Sequence, residues 1–128
     1  MKTKILLSII LLAVCYSCES TYLVLGKYDL KGTCFDNVYQ RTHPDNRIVT
    51  IKQGKKNLLI DIGGVSVFKA YETNDSLFII PHQVYNGSTE RIGFSGEGVI
   101  RNDSLFLHYY TGGSFGDLEC ECKGKKIE

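Results

Sequence analysis

The cysteines are the residues of this 128-residue chain whose types and spacing say most about chemistry. So many in a small chain are typical of an exported protein in an oxidising compartment. The count is odd, so at least one of them does not form an intramolecular disulfide bond. The five are Cys15, Cys18, Cys34, Cys120 and Cys122. Two therefore lie near the N-terminus and three in the body of the chain.

The segment before the first two cysteines has the organisation of a signal peptide. Lys2 and Lys4 precede an apolar run over residues 5–14 that only Ser8 interrupts. Ten residues of helix reach across about half of a bilayer core, which is too short for a transmembrane span. We therefore predict a signal helix over residues 1–17 that is removed from the mature protein.

The residues around Cys18 predict a lipid anchor. Ser17-Cys18 resembles the relaxed lipobox of Bacteroidota-type bacterial lipoproteins, in which a small residue precedes a cysteine that is lipidated and becomes the mature N-terminus. Cys15, which follows Val14, is the alternative, and cleavage of an ordinary secretory signal near Ser17 is another. The resemblance implies export and lipid anchoring to the outer membrane, on a periplasmic or surface face that the sequence leaves open. The membrane is then a partner through the lipid alone.

The mature chain has the pattern of an all-β domain. All 13 glycines follow residue 25, and no window sustains the apolar spacing of a helix. We predict a short tether over 18–26 and a domain over 27–128 with strands at 27–37, 47–52, 57–63, 65–72, 77–81, 90–100, 105–110 and 117–125.

Eight sequential antiparallel strands most economically close into a single small up-and-down barrel, which leaves no exposed sheet edge. Leu25-Gly26-Lys27-Tyr28 is similar to the Gly-x-Trp motif that opens many lipocalins, with Tyr28 in place of the Trp. The chain thus resembles a compact lipocalin- or avidin-like barrel. An open two-sheet β-sandwich is the alternative fold.

Connections in such a barrel alternate between its two ends. The tight turns at 53–56, 73–76 and 101–104 are predicted to share one end with the tether. The longer connections at 38–46, 81–89 and 111–116 then share the other end, where barrels commonly bind ligands. The candidate binding residues on these loops are Tyr39, Arg41, His43, His82, Tyr85, Asn86, Ser114 and Phe115.

The first and last strands of a closed barrel are neighbours, and this predicts a disulfide bond. Cys34 and Cys120 lie at matching heights on those strands, so we predict that they are bridged. Cys122 points to the same face as Cys120 and is the alternative partner. A bridge across so long a loop stabilises a fold by about 4 kcal/mol in the chain-entropy treatment.

A five-residue repeat marks two predicted hairpins. Asn-Asp-Ser-Leu-Phe occurs at 74–78 and again at 102–106, and we interpret it as one turn design used twice. Asp-Ser-Leu also resembles the O-glycosylation motif of Bacteroidota-type exported proteins. That resemblance implies Ser76 and Ser104 as possible acceptors.

The sequence contains no motif that defines an enzyme. No spacing joins His43, His82 and His108 into a zinc site, and there is no nucleophile elbow, phosphate loop or dinucleotide fingerprint. We therefore expect no catalytic residues, metal or cofactor. With a net charge of only +1, we expect no nucleic acid partner.

The expected function is a non-enzymatic binding module for a small apolar or glycan ligand or a protein. The alternatives are an accessory subunit of an envelope complex and an inhibitor of an incoming hydrolase.

Overall fold

The protein is a closed eight-stranded antiparallel barrel in which each strand pairs with the next and β8 pairs with β1. The computed structural model describes residues 24–74, 76–87, 90–113 and 116–128. The strands are β1 (Gly26–Asp36), β2 (Arg41–Gln53), β3 (Leu58–Ile62), β4 (Ser66–Glu72), β5 (Leu77–Asn86), β6 (Arg91–Arg101), β7 (Ser104–Gly113) and β8 (Gly116–Lys126). The predicted all-β up-and-down barrel is confirmed, and the chain does not form the alternative open sandwich.

The N-terminal predictions concern another part of the chain. The predicted signal helix at 1–17 and the anchor at Cys18 lie outside the described residues, which begin at Val24. From Val24 onward, the described ranges contain no helix of the length and apolar character that crossing a membrane requires.

The lower half of the barrel is a packed apolar core. Alternate residues of each strand point inward, as in Leu58, Ile60 and Ile62 of β3, which are all buried. Phe78 lies over Gly98, where a Cβ atom would come within 2.1 Å of the ring, so a residue without a side chain is needed there. Among the described residues, the side chains of this part of the barrel pack against one another and fill its interior.

The two ends of the barrel differ. The turns at 54–57 and 102–103 share the closed end with the connection from β4 to β5. Val24 is buried at this end, and its carbonyl accepts a hydrogen bond from the Tyr28 hydroxyl at 2.9 Å. The N-terminal segment therefore enters at this end, as the loop pattern predicts. We call the opposite end the mouth.

The prediction of long loops at the mouth is wrong. The segments 38–46, 81–89 and 111–116 are mostly strand, because β2 begins at Arg41, β5 runs to Asn86 and β7 runs to Gly113. Pro44 lies where β2 extends beyond its ladder with β3, and a strand edge tolerates a residue without an N–H. The strands therefore rise higher than predicted and form the wall of the mouth themselves.

A β-bulge explains why β5 continues beyond residue 81, where the strand was predicted to end. Ile80 pairs with Gly96 and Gln83 pairs with Phe94, so β5 contains one more residue than β6 across this interval. Pro81 lies inside the bulge, where no ladder hydrogen bond is required of it.

The bulge also affects the seam between β4 and β5, whose ladder in the described residues consists of Tyr71 with Ile79 and Glu72 with Phe78. Beyond those pairs, the Gln83 side chain takes the place of a strand. Its Oε1 accepts from the Lys69 backbone N–H at 2.9 Å, and its Nε2 donates to the Lys69 carbonyl at 2.7 Å. One side-chain amide thus makes the two bonds that a paired strand residue would make.

We predict that Gln83→Ala weakens this seam. It should lower the free energy of unfolding by about 1 kcal/mol, since the two hydrogen bonds with Lys69 and a third to the Pro81 carbonyl are lost where water can partly replace them. Gln83→Glu keeps the acceptor but loses the donor, so its effect should be intermediate. Hydrogen exchange at the Lys69 amide measures the change directly and should accelerate in Gln83→Ala. Gln53→Ala, at an exposed glutamine, is the control, and unchanged Lys69 exchange in Gln83→Ala would contradict this account.

Candidate functional site

The upper half of the barrel encloses a cavity of about 470 Å³ that opens at the mouth. Its lining combines apolar side chains, backbone at three glycines and several polar groups. The lining residues are Cys34, His43, Pro44, Asp45, Arg47, Val65, Tyr85, Glu90, Ile92, Phe94, Tyr109, Thr111, Gly112, Gly113, Gly116 and Leu118. A cavity of this size is in the range that small-molecule sites occupy.

Stacked aromatic rings separate this cavity from the packed core below. Phe94 stacks on Phe68 with ring centroids 4.0 Å apart and on Tyr109 with centroids 5.1 Å apart. Tyr85 meets the edge of the Phe68 ring at 5.5 Å. These four residues form what we call the aromatic shelf. It gives the cavity a rigid floor in which Phe68, Phe94 and Tyr109 are buried and Tyr85 is half-buried.

A buried carboxylate lies beside the shelf. Asp45 of β2 is only 6% exposed, yet it is fully hydrogen-bonded. Its Oδ2 accepts from the Tyr109 hydroxyl at 2.6 Å and from the Cys122 thiol at 3.1 Å. Its Oδ1 accepts from Arg47, whose Nε lies 2.8 Å away and whose Nη2 makes a second, shorter contact. Asp45 thereby joins β2 to β7 and β8 across the interior of the barrel.

Arg47 presents a positive charge to the cavity. Besides its contacts with Asp45, it donates from Nη1 to the Gly63 carbonyl at 3.3 Å. Its guanidinium carbon lies 5.6 Å from the centre of the Tyr109 ring, which is within cation–π range. The side chain is 19% exposed, so part of the guanidinium faces the cavity and can contact an occupant.

The protonation states of this cluster follow from its burial and hydrogen bonds. Burial by itself would raise the pKa of Asp45, but the bonds from Arg47, Tyr109 and Cys122 outweigh it and bring the pKa below 3.8. Burial, together with the bond to Asp45, raises the pKa of Tyr109 and brings the pKa of the Cys122 thiol to about 12. At neutral pH the cluster therefore contains an ionised carboxylate, a neutral phenol and a neutral thiol.

The predicted disulfide bond forms one wall of the cavity. Cys34 and Cys120 face each other across β1 and β8 and are bridged, as their register predicts. Cys122, the alternative partner, is a buried free thiol. Because burial raises its pKa, Cys122 has little thiolate character and does not readily exchange with the neighbouring bridge.

The structure places the predicted binding residues in several different environments. His43 and Tyr85 line the cavity. Tyr39, Arg41 and Asn86 lie at the exposed rim, where the Arg41 guanidinium packs 5.0 Å from the centre of the Tyr39 ring. Ser114 and Phe115 lie outside the described residues.

The prediction that His82 lies on a loop at the mouth is wrong, because this residue does not face the mouth. The bulge in β5 turns it onto the outer wall, beside Gly93 and Ser95 of β6. A bulge changes the face of the sheet to which the following side chains point. The regular alternation of inward and outward residues along a strand does not predict this change.

The two candidate glycosylation sites lie at the closed end and differ in exposure. Ser76 is exposed in the turn before β5, where the Asn74 side-chain carbonyl accepts from the Ser76 N–H at 3.0 Å. Ser104 is half-buried as the first residue of β7, after a turn in which Asn102 and Asp103 both take positive φ. Glycosylation of either serine stays a prediction.

Sequence reasoning missed the polar cluster of the cavity. Asp45 lay in the segment interpreted as a loop, and Arg47 was placed only at the start of a strand. The signal was present, since Asp45, Arg47, Val49 and Ile51 alternate and so share the inward face of one strand. Phe94 and Tyr109 likewise lie on predicted strands, but alternation says only that they point inward, not that they stack.

Comparison with known proteins supports the fold. No protein-family model and no curated protein matches the chain. A solved structure from Bacteroides fragilis, described as a "putative outer membrane protein", matches with a TM-score of 0.56 at 19% identity. The match covers 84% of this chain and 52% of that protein, so this chain spans about half of its length. At this identity the likeness shows the barrel fold alone. The lipocalin- and avidin-like resemblance stays a prediction.

We predict that Asp45→Asn is strongly destabilising. The change leaves Arg47 without its carboxylate partner in a largely buried position, which should cost about 3 kcal/mol in free energy of unfolding. The double variant Asp45→Asn/Arg47→Met removes both charges and should cost less than the single change. Chemical denaturation of the parent, the two single variants and the double variant measures this, and additive effects of the two substitutions would contradict the pairing.

The same carboxylate predicts a pH dependence of stability. Because the folded pKa of Asp45 lies below its ordinary value, ionised Asp45 stabilises the fold at and above about pH 4. This contribution is lost as the pH falls through the folded pKa. Parent and Asp45→Asn should therefore approach each other in stability under acid conditions, and a constant difference between them would contradict the assignment.

Proposed function

We propose that this chain is an exported, lipid-anchored barrel that binds a small ligand in its mouth and catalyses no reaction. The observation that carries the proposal is the cavity of about 470 Å³ above the aromatic shelf. A barrel of this size can fill its interior completely, as this one does in its lower half. A cavity retained in the upper half, with polar groups placed around it, supports a binding role.

The lining favours a ligand with one apolar face and a polar or anionic group. Tyr85, which is half-buried on the lining, offers ring surface on which a sugar ring or an aromatic ring can stack. Arg47 and His43 lie on the same lining and offer donors to a hydroxyl, carboxylate or sulfonate group. A small glycan or an amphipathic organic molecule fits this arrangement.

A non-catalytic role is supported by the way in which the polar groups are used. Asp45 accepts hydrogen bonds from Arg47, Tyr109 and Cys122, and the raised pKa of Tyr109 keeps its proton on the phenol. Groups that are held in this way give rigidity and orientation, whereas a general acid or base needs a pKa near the working pH.

Lipid anchoring at Cys18 is supported by the chemistry of the barrel wall. The lumen of the lower half is apolar, and the outer faces of β1, β6 and β8 bear charged residues at mid-height, among them Lys31, Glu97 and Glu121. A membrane-spanning barrel has the opposite arrangement, with lipid-facing apolar residues outside. An envelope location is supported by the fold likeness to the Bacteroides fragilis protein, and a lipid at the N-terminus would supply the membrane attachment.

The alternative role as an accessory subunit has one observation in its favour. Tyr71 and Ile79 are paired across β4 and β5 and are 51% and 43% exposed, which makes a small apolar area on the outer wall. A second hollow of about 400 Å³ lies elsewhere on the outer wall, beside Phe106 and His108. A protein partner or an inhibited hydrolase would contact such surfaces, not the interior of the mouth.

We predict that filling the cavity abolishes ligand binding. The probe is anilinonaphthalene sulfonate, which has a flat apolar ring system and an anionic group. It should bind the full chain at one saturable site, and Ile92→Trp should weaken this binding at least about tenfold by placing an indole in the cavity. Val67→Trp, on the outer wall, is the matched control and should bind like the parent.

Fluorescence titration measures this binding, with denaturation curves showing that both variants remain folded. Loss of binding in Val67→Trp but not in Ile92→Trp would favour the accessory role. Equal binding by all three proteins would contradict a site in the mouth.

We predict that Cys18 accepts the lipid. In a bacterial host fed a labelled fatty acid, the parent and Cys15→Ser should incorporate label into this chain, and Cys18→Ser should not. Cys18→Ser should also leave the membrane fraction, because the lipid supplies its attachment. Labelling that is lost only in Cys15→Ser would move the anchor to Cys15, and no labelling of the parent would indicate an ordinary secretory signal.

A further inference from the structure

The closed end of the barrel carries an excess of positive charge. It comprises the three nearest residues of each strand, the connections between them, and the segments before β1 and after β8. Among the described residues of this end, three side chains are acidic, namely Glu72, Asp103 and Glu128. Seven are basic, and these are Lys27, Lys52, Lys55, Lys56, Arg101, Lys125 and Lys126. Asp75 lies outside the described residues, and the excess persists if its charge is included.

The mouth has the opposite balance. In the same interval at that end, histidine aside, the described basic residues are Arg41 and Arg91, and the acidic ones are Asp36, Asp61, Glu90 and Asp117. The barrel is therefore electrically polarised along its axis. The basic residues of the closed end come from distant parts of the chain, and only closure of the barrel brings them together. For this reason the sequence suggested membrane contact through the lipid alone.

Most of the basic side chains at the closed end face solvent. The Gly54 N–H donates to the Asn57 carbonyl at 2.8 Å, which closes the turn and leaves Lys55 and Lys56 exposed at its tip. Lys27 is exposed as well and pairs with Glu128 at 3.1 Å. The other exposed members of the set are Lys52, Arg101 and Lys125, while Lys126 is half-buried.

An exposed apolar side chain lies among these charges. Ile127 is 56% exposed, although its backbone is held in place. Its N–H donates to the Lys27 carbonyl at 2.8 Å, and the Lys126 N–H donates to the Asp103 carbonyl at 2.8 Å. Basic side chains around an exposed apolar one are typical of surfaces that lie at a membrane interface.

The N-terminal segment brings this end of the barrel close to a bilayer. Val24 is buried at the closed end and follows Cys18 by six residues. Six residues span at most about 20 Å even when they are fully extended. A lipid on Cys18 would therefore keep the basic end near the membrane surface and the mouth on the far side of the barrel.

We propose that the closed end is a docking surface for a bilayer that contains anionic phospholipids. The basic side chains bind the phosphate groups of the lipid headgroups, and Ile127 contacts the boundary between headgroups and acyl chains. Each Lys or Arg near an anionic surface strengthens binding about fivefold. The orientation rests on the proposed anchor at Cys18, whereas the binding itself needs no lipid on the chain. Docked in this way, the barrel holds its mouth away from the bilayer and open to a ligand.

The test uses the full chain with Cys15→Ser and Cys18→Ser, so that no attached lipid contributes. Co-sedimentation measures binding to vesicles of phosphatidylcholine alone and to vesicles of equal parts phosphatidylcholine and phosphatidylglycerol. The apolar segment at 5–14 is the same in every variant, so variants are compared by the difference between the two kinds of vesicle. Circular dichroism shows whether each variant is folded.

The variants separate a docking surface from a general effect of charge. Lys55→Gln/Lys56→Gln removes two charges from the closed end. Its matched control is Lys69→Gln/Arg91→Gln, which removes two exposed charges from the rest of the barrel and changes the net charge equally. Lys55→Arg/Lys56→Arg keeps the charge at the closed end, and Ile127→Ser removes the apolar side chain.

We expect the parent to bind anionic vesicles at least about tenfold more tightly than neutral ones, and to lose this preference at high salt. Lys55→Gln/Lys56→Gln should weaken binding to anionic vesicles at least about tenfold. The arginine variant and the matched control should each differ from the parent by less than about twofold. Ile127→Ser should weaken the same binding about fourfold, the effect of one buried CH₂ group.

Three results would overturn the proposal. The first is equal binding of the parent to both kinds of vesicle. The second is equal weakening by the two glutamine double variants, which would make net charge the cause. The third is binding to a DNA duplex as tight as binding to anionic vesicles, which would make nucleic acid the partner. Because the tested chain carries no lipid, failure of docking leaves the anchor at Cys18 and the mouth site standing. Failure of fatty-acid labelling would remove the anchor without altering the vesicle result.

Discussion

The buried carboxylate of Asp45 is the constraint on which the upper half of this barrel depends. A charge at 6% exposure is unfavourable unless donors surround it, and this one receives hydrogen bonds from Arg47, Tyr109 and Cys122. Those donors come from its own strand and from β7 and β8, which lie on the other side of β1. The polar cluster therefore ties these strands together beside the cavity.

The rest of the molecule provides a rigid support for that opening. Below the aromatic shelf the core is apolar and complete, and the closed end is covered by Val24, to which Tyr28 is hydrogen-bonded. Beside the cluster, the bond between Cys34 and Cys120 joins the first and last strands. A small barrel that is packed below and crosslinked at its closing seam can keep a cavity above, because little of its stability depends on filling that space.

The sequence predicts the number of strands, their order, the bridge and the end at which the chain enters, because these follow from alternation, turn residues and barrel closure. It predicts the mouth poorly. Pro44 and Pro81 resemble loop residues, yet one lies on a strand edge and the other in a bulge, and both environments arise only from pairing with other strands. The same bulge turns His82 outward. The hydrogen bonds of Asp45 join residues far apart in the chain, and no local pattern specifies them.

A crystal structure of the chain soaked with anilinonaphthalene sulfonate shows directly whether the mouth cavity is a binding site. We expect electron density for the naphthalene ring against Tyr85 and Ile92, with the sulfonate within hydrogen-bond distance of Arg47. Density for the probe on the outer wall only, with the mouth occupied by ordered water, would contradict it.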